Sequence, residues 1–148
     1  MTPGSPTTIN SSVRVLTVDD QALFRGVARD VIDATPGFVA VGEAASGVEG
    51  LEAVERLSPQ LVLLDVRMPG MDGIEVARRL TATHPETVVV LISIEEGIDV
   101  PSAAQLDTVP LVRKQDFGPR LLRRLWKEHG RIADPTDAGS RASGGRSG

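Results

Sequence analysis

Leu61-Val62-Leu63-Leu64-Asp65-Val66-Arg67-Met68-Pro69-Gly70-Met71-Asp72-Gly73 is the stretch whose reading decides the fold. Four consecutive apolar residues suit a strand buried on both faces, as in a parallel sheet. One carboxylate, Asp65, stands at the carboxyl end of that run, followed at once by the turn pairs Pro69-Gly70 and Asp72-Gly73. Strand carboxyl ends are where open α/β sheets place their ligands. A carboxylate there is costly to desolvate, so its presence calls for a chemical reason.

Outward from this stretch the pattern alternates. Val13–Val18 is β-branched and strand-like. Residues 21–33 place Leu23, Val27 and Val31 on one helical face, with Phe24, Ala28 and Ile32 beside them. Phe38–Val41 reads as a short second strand. Ser46-Gly47-Val48-Glu49 is a capping box opening a helix that carries Leu51, Val54 and Leu57 on its buried stripe. Asp72 caps a third helix with Ile74, Ala77 and Leu80 inward, and Gly73 reads as a turn residue. Thr87–Ile92 is another continuous apolar strand. Gly97 and Pro101 interrupt residues 95–107, so a helix there is short or distorted. Leu111-Val112-Arg113 makes a brief fifth strand. Asp116 and Pro119 open a last helix, with Leu121, Leu122, Leu125 and Trp126 inward and Gly130 as its stop.

Five strands alternating with helices imply parallel pairing and right-handed crossovers. The expected fold is a five-stranded, doubly wound α/β sheet of flavodoxin-like order 2-1-3-4-5, with its switch point between strands 1 and 3. Residues 13–131 form the one domain expected of a chain of 148 residues; 1–12 and 132–148 are too poor in large apolar side chains to order themselves.

Composition excludes several classes. A net charge of −4 offers no electrostatic basis for nucleic-acid binding by this chain. Without cysteine there is no disulfide framework and no thiolate metal site. No apolar run approaches the ~20 residues of a membrane span, and residues 1–12 show no secretory signal. A cytoplasmic protein with no membrane partner, monomeric or weakly dimeric, is expected.

The expected strand order brings Asp19-Asp20 beside Asp65. Like charges this close require a cation or a raised pKa. An all-oxygen cluster with neither His nor Cys selects a hard ion, Mg²⁺ or Mn²⁺. Asp20 and Asp65 are the expected direct ligands, Asp19 acts through water, and the backbone carbonyl of Arg67 supplies a further oxygen. Ser93 and Lys114 end strands 4 and 5 at the same edge, where a hydroxyl and an ammonium can hold phosphoryl oxygens. A carboxylate nucleophile with a metal, a hydroxyl and a lysine is an aspartyl-phosphate site. His84 and His129 have no ligand partner in this pattern and read as solvated. Arg123, Arg124 and Lys127 read as a wet helix face or a partner surface.

Val18-Asp19-Asp20, the stretch Leu64–Gly73, Ser93 and Lys114 together resemble a two-component response-regulator receiver domain, over roughly residues 13–130. The resemblance implies that a sensor histidine kinase phosphorylates Asp65 with Mg²⁺ at Asp19, Asp20 and Asp65, and that an unidentified downstream protein reads the result. Ser93 and Lys114 match the family's switch hydroxyl and invariant lysine. Asp19–Arg25 also looks like receivers that precede a helix-turn-helix DNA-binding half, so the chain is a stand-alone receiver or a fragment of a longer protein. Three positions depart from the pattern: Ile94 replaces a small residue, Leu111 replaces the strand-5 aromatic, and Gln115 follows the lysine. Ile94 is therefore expected to crowd the path to the phosphate. Two alternatives compete. One is a pseudo-receiver that docks proteins without phosphorylation. The other is a haloacid-dehalogenase-like phosphatase, disfavoured because Asp19-Asp20 are adjacent where that family has D-x-D.

Overall fold

The computed structural model describes residues 12–94 and 109–130. The expectations for residues 95–107 and for most of the two terminal segments lie outside the described residues. Within them the chain runs β1 (Val13–Val18), α1 (Ala22–Ala34), β2 (Phe38–Ala44), α2 (Gly47–Leu57), β3 (Leu61–Asp65), α3 (Gly73–Thr83), β4 (Val88–Ser93), β5 (Leu111–Arg113), a 3₁₀ turn (Lys114–Asp116) and α4 (Pro119–His129). All strand pairs are parallel, and the sheet order is β2-β1-β3-β4-β5.

The continuous apolar runs serve two faces because side chains alternate along a strand. Leu16, Val18, Val62, Leu64, Val89 and Leu91 pack into the layer beneath α2 and α3. Val15, Leu61, Leu63, Val88, Val90 and Ile92 pack on the other face, against Phe24, Ala28 and Ile32 of α1 and Leu122 and Leu125 of α4. Register then fixes the functional edge. Val18 pairs with Leu64, Asp65 with Ile92, and Ser93 with Arg113, so all of these strands end at one level.

Several elements differ from the sequence pattern. The second strand continues past Val41 to Ala44 through a register irregularity opposite Val15 and Leu16. Gly42 follows the irregularity and lies close under Leu57, whose Cδ1 a Cβ there would meet at 2.6 Å. Of the two apolar stripes on α1, Phe24, Ala28 and Ile32 are buried, whereas Leu23 is 83% exposed. On α2, Gly47, Gly50, Ala53 and Val54 are buried, with Leu51 and Leu57 packed at the margin. On α3, Val76, Ala77 and Leu80 are buried, and Ile74 lies at the margin. Asp116 does not cap the last helix. It sits in the 3₁₀ turn with its carboxylate 3.2 Å from Arg113 Nε, and Gly118 occupies the N-cap ahead of Pro119. His84 is not simply solvated either. Its Nε2 lies 3.0 Å from Glu55 Oε2 and its Nδ1 2.8 Å from Thr83 Oγ1, linking the end of α3 to α2.

The Ser46 and Asp72 caps hold as read. Ser46 Oγ accepts from Glu49 N–H, although the Glu49 carboxylate returns to Ala45 N–H. Asp72 Oδ1 accepts from Glu75 N–H at 3.0 Å. Gly73 is required for close approach, and Gly70 is the turn residue. A Cβ on Gly73 would fall 2.0 Å from the Asp65 carbonyl oxygen, while Gly70 has φ of +77° with open space around it.

Candidate phosphoryl and metal site

Asp19 follows β1 directly and is held from three sides. Its N–H donates to Ala44 O at 3.0 Å, its Oδ1 accepts from Gln21 N–H at 2.8 Å, and its carbonyl accepts from Arg25 Nη1 at 2.6 Å. Arg25 is anchored in turn by Glu43 of β2, at 3.3 Å. The remaining oxygen, Asp19 Oδ2, is buried and accepts no properly directed hydrogen bond. It faces Lys114 Nζ at 2.7 Å, an ion pair by distance alone.

Asp65 ends β3 and is 4% exposed. Its Oδ1 accepts from Arg67 N–H at 3.3 Å, and its Oδ2 lies 3.7 Å from Lys114 Nζ. Burial raises its carboxyl to about 6, and Asp19 adds to the rise; Lys114 and the Arg67 N–H oppose it, and Asp20 contributes a further upward push. Asp20 is exposed beside them, and the three residues offer carboxylate oxygens all within 4.8 Å of one another.

These residues fit a hard divalent cation. The donors are all oxygen, two of the three carboxylates are buried, and one buried oxygen lacks a directed partner. Lys114 faces this cluster, and it approaches Asp19 more closely than Asp65.

Strand register brings Ser93 to the same edge: it is buried at the end of β4, directly after Ile92, the partner of Asp65. Arg67 is exposed and meets Asp65 through its backbone N–H. Ile94 follows Ser93 directly, where β4 ends. It is 63% exposed and belongs to neither packed layer, as expected where a chain leaves the sheet edge. Leu111 is partly exposed on β5.

Four residues around the site are not assigned by the sequence pattern: Gln21, Phe24, Arg25 and Glu43. Gln21 Oε1 lies 3.4 Å from Lys114 Nζ, and the Phe24 ring lies under the same ammonium, 4.7 Å from Nζ to centroid. The adjacency of Gln21, Phe24 and Arg25 to Asp19-Asp20 was the available signal. Glu43 carries none, because its role depends on β2 running past Val41.

The family model for the response regulator receiver domain matches residues 15–125, and the chain belongs to that family. Receiver domains are phosphorylated by histidine kinases and hold Mg²⁺ through an acidic pocket. Among curated relatives, the protein-glutamate methylesterase/protein-glutamine glutaminase 5 of Anaeromyxobacter dehalogenans (strain 2CP-C) is 36% identical over 97% of this chain and 40% of its own length. Its counterpart in Myxococcus xanthus (strain DK1622) is 43% identical over 72% of this chain and 31% of its own. The chain thus spans well under half the length of these relatives. Among solved structures, the response regulator domain of Thermotoga maritima CheB is 30% identical, with a TM-score of 0.67, covering 78% of this chain and 95% of that one. A LuxR-family DNA-binding response regulator from Staphylococcus aureus shares the fold at 22% identity, with a TM-score of 0.69, 78% of this chain and 97% of that one covered. Among the described residues, no helix is long and apolar enough to cross a membrane.

Proposed function

We propose that the chain is a cytoplasmic phosphoacceptor module in which Asp65 takes a phosphoryl group from a phosphohistidine of a sensor histidine kinase. The observation that carries this reading is the meeting of Asp19, Asp20 and Asp65 around a buried, undirected carboxylate oxygen, with Lys114 as the facing cation. Asp19, Asp20, Asp65 and the backbone carbonyl of Arg67 would hold Mg²⁺ or Mn²⁺, which supplies charge neutralisation for the incoming phosphoryl oxygens.

Asp65 attacks phosphorus through a carboxylate oxygen. The new P–O bond forms as the P–N bond breaks, and that electron pair stays on the departing imidazole. No base is required: with its carboxyl at about 6, Asp65 remains mostly the anion at neutral pH. Lys114 stands within reach of Asp65 and holds a phosphoryl oxygen by charge, while the Ser93 hydroxyl donates to another. The downstream response is a protein–protein contact. Because the matched relatives carry methylesterase/glutaminase names, an output domain of that class, on the same or another polypeptide, is the first to test for phosphorylation-dependent binding.

A small-molecule phosphodonor with and without Mg²⁺, followed by intact mass, tests the reading. A gain of one phosphoryl group that needs Mg²⁺ and is absent in Asp65→Asn is expected. No gain, together with no Mg²⁺ binding by titration, favours the phosphorylation-independent docking role that exposed Ile94 and Leu111 suggest.

A further inference from the structure

Lys114 reaches the site from the start of a 3₁₀ turn, and its ammonium lies over the ring of Phe24, which packs on a second aromatic ring. Phe117 N–H donates to Lys114 O at 3.1 Å, which folds the turn back on itself. That places the Phe117 ring against Phe24 of α1, centroids 6.2 Å apart and tilted by 56°. Both rings are buried. The Phe24 ring, fixed in this way, carries Lys114 Nζ 4.7 Å from its centroid, inside the range of cation–π attraction. The lysine side chain is only 8% exposed, so water screens this attraction weakly.

We infer that Phe24 is a positioning residue for phosphoryl transfer: its ring is the platform on which the Lys114 ammonium stands between Asp19 and Asp65. This rests on the reading of Asp65 as phosphoacceptor. A purely apolar role would satisfy the burial of Phe24 against Ala28 and Ile32, but any aliphatic side chain of similar volume would fill that role. The ring adds a negative face turned to a cation. Attraction of a charge to a ring quadrupole tolerates lateral movement far better than a directed hydrogen bond does. The ammonium can therefore shift from Asp19, at 2.7 Å, toward Asp65, at 3.7 Å, and its phosphoryl oxygens without leaving the ring. Gln21 Oε1, 3.4 Å from Nζ and one turn before Phe24, steadies the same ammonium from the side.

The test replaces Phe24 site-specifically with mono-, di- and trifluorophenylalanine, which weaken the ring's negative face at nearly constant shape, alongside Phe24→Leu. The chain holds two lysines, Lys114 and Lys127, so ¹³C-lysine labelling yields two sets of side-chain signals. In the unphosphorylated protein, one lysine ε-methylene should be shifted upfield by the ring, and the shift should vanish in Phe24→Leu. The rate of Asp65 phosphorylation at saturating Mg²⁺ should fall stepwise along the fluorine series, about three- to tenfold in total. A rate flat across the series overturns the inference, as do lysine signals at unperturbed positions. If the unsubstituted protein accepts no phosphoryl group, the phosphoacceptor reading fails on its own. The ring shift then still decides whether Phe24 places Lys114. Should Phe24→Leu fail to fold, the fluorine series carries the test, because it preserves the ring.

Discussion

Lys114 Nζ stands 2.7 Å from Asp19 Oδ2 and 3.7 Å from Asp65 Oδ2, so the lysine is paired with the carboxylate that is not the proposed acceptor. Lysine and a divalent cation therefore compete for the same acidic cluster. Removing the lysine charge in Lys114→Gln should tighten Mg²⁺ binding about three- to tenfold, by relief of like-charge repulsion. The same substitution should slow phosphorylation of Asp65 at least about tenfold, because an attraction to the phosphoryl oxygens is lost. Isothermal titration and phosphorylation kinetics check the two effects, and weaker Mg²⁺ binding would contradict the competition.

Asp65 sets a pH dependence of stability in metal-free protein. Its carboxyl is raised to about 6 in the fold, by burial first and by Asp19 next, and titrates near 3.9 in the unfolded chain. Below about pH 4 both states hold the proton and the group has no effect. Between about pH 4 and 6 the folded state keeps the proton longer, so stability falls as pH rises, and above about 6 the loss is complete. Asp65→Asn should remove this loss and stabilise the metal-free protein at pH 7.5 by on the order of 1–2 kcal/mol, with little difference below pH 4. Urea unfolding in a chelator at both pH values measures it.

Gly73→Ala should be the most damaging single methyl in the Asp65–Gly73 loop. The added Cβ would clash with the Asp65 carbonyl oxygen and sit 2.9 Å from Val66 Cα, backbone atoms of the acceptor residue and of the one after it. Despite the better helix propensity of alanine, a loss above about 2 kcal/mol is expected. Gly70→Ala meets only the left-handed backbone cost, about 1 kcal/mol, since nothing lies near its Cβ position. Equal losses in the two variants would show that close approach is not the reason for Gly73.

Arg25 joins the site to the sheet edge, holding the Asp19 carbonyl at 2.6 Å and Glu43 at 3.3 Å. Arg25→Ala should loosen the turn that aims Asp19 and weaken Mg²⁺ affinity about three- to tenfold. Arg25→Lys should recover part of the affinity, because one donor still reaches the carbonyl. Glu43→Gln should cost less than Arg25→Ala, since it removes only the anchor of the arginine.

The strands, their order and the carboxyl edge were legible because buried parallel strands are written as uninterrupted apolar runs, with Asp19, Asp65, Ser93 and Lys114 at their ends. The face of α1 was not, because Leu23 and Val27 compete with Phe24 and Ala28 as equally apolar stripes, and only docking on the sheet decides between them. Asp116 looked like a cap, yet Arg113 captures its carboxylate and Pro119 starts the helix without it. Glu55 and His84 are far apart in sequence and meet only when α2 and α3 pack side by side. Long-range pairings of this kind, including Lys114 on Phe24, carry no periodicity and no local spacing.

The most direct measurement locates the phosphoryl group itself. After phosphodonor treatment with Mg²⁺, borohydride reduces an acyl phosphate to an alcohol, and trypsin releases residues 57–67, in which Asp65 is the only carboxylate side chain. Conversion of Asp65 to homoserine in that peptide, abolished by leaving out Mg²⁺, is the result predicted. An unmodified Asp65 in a protein that has gained phosphoryl mass, or modification of another residue instead, would contradict the account.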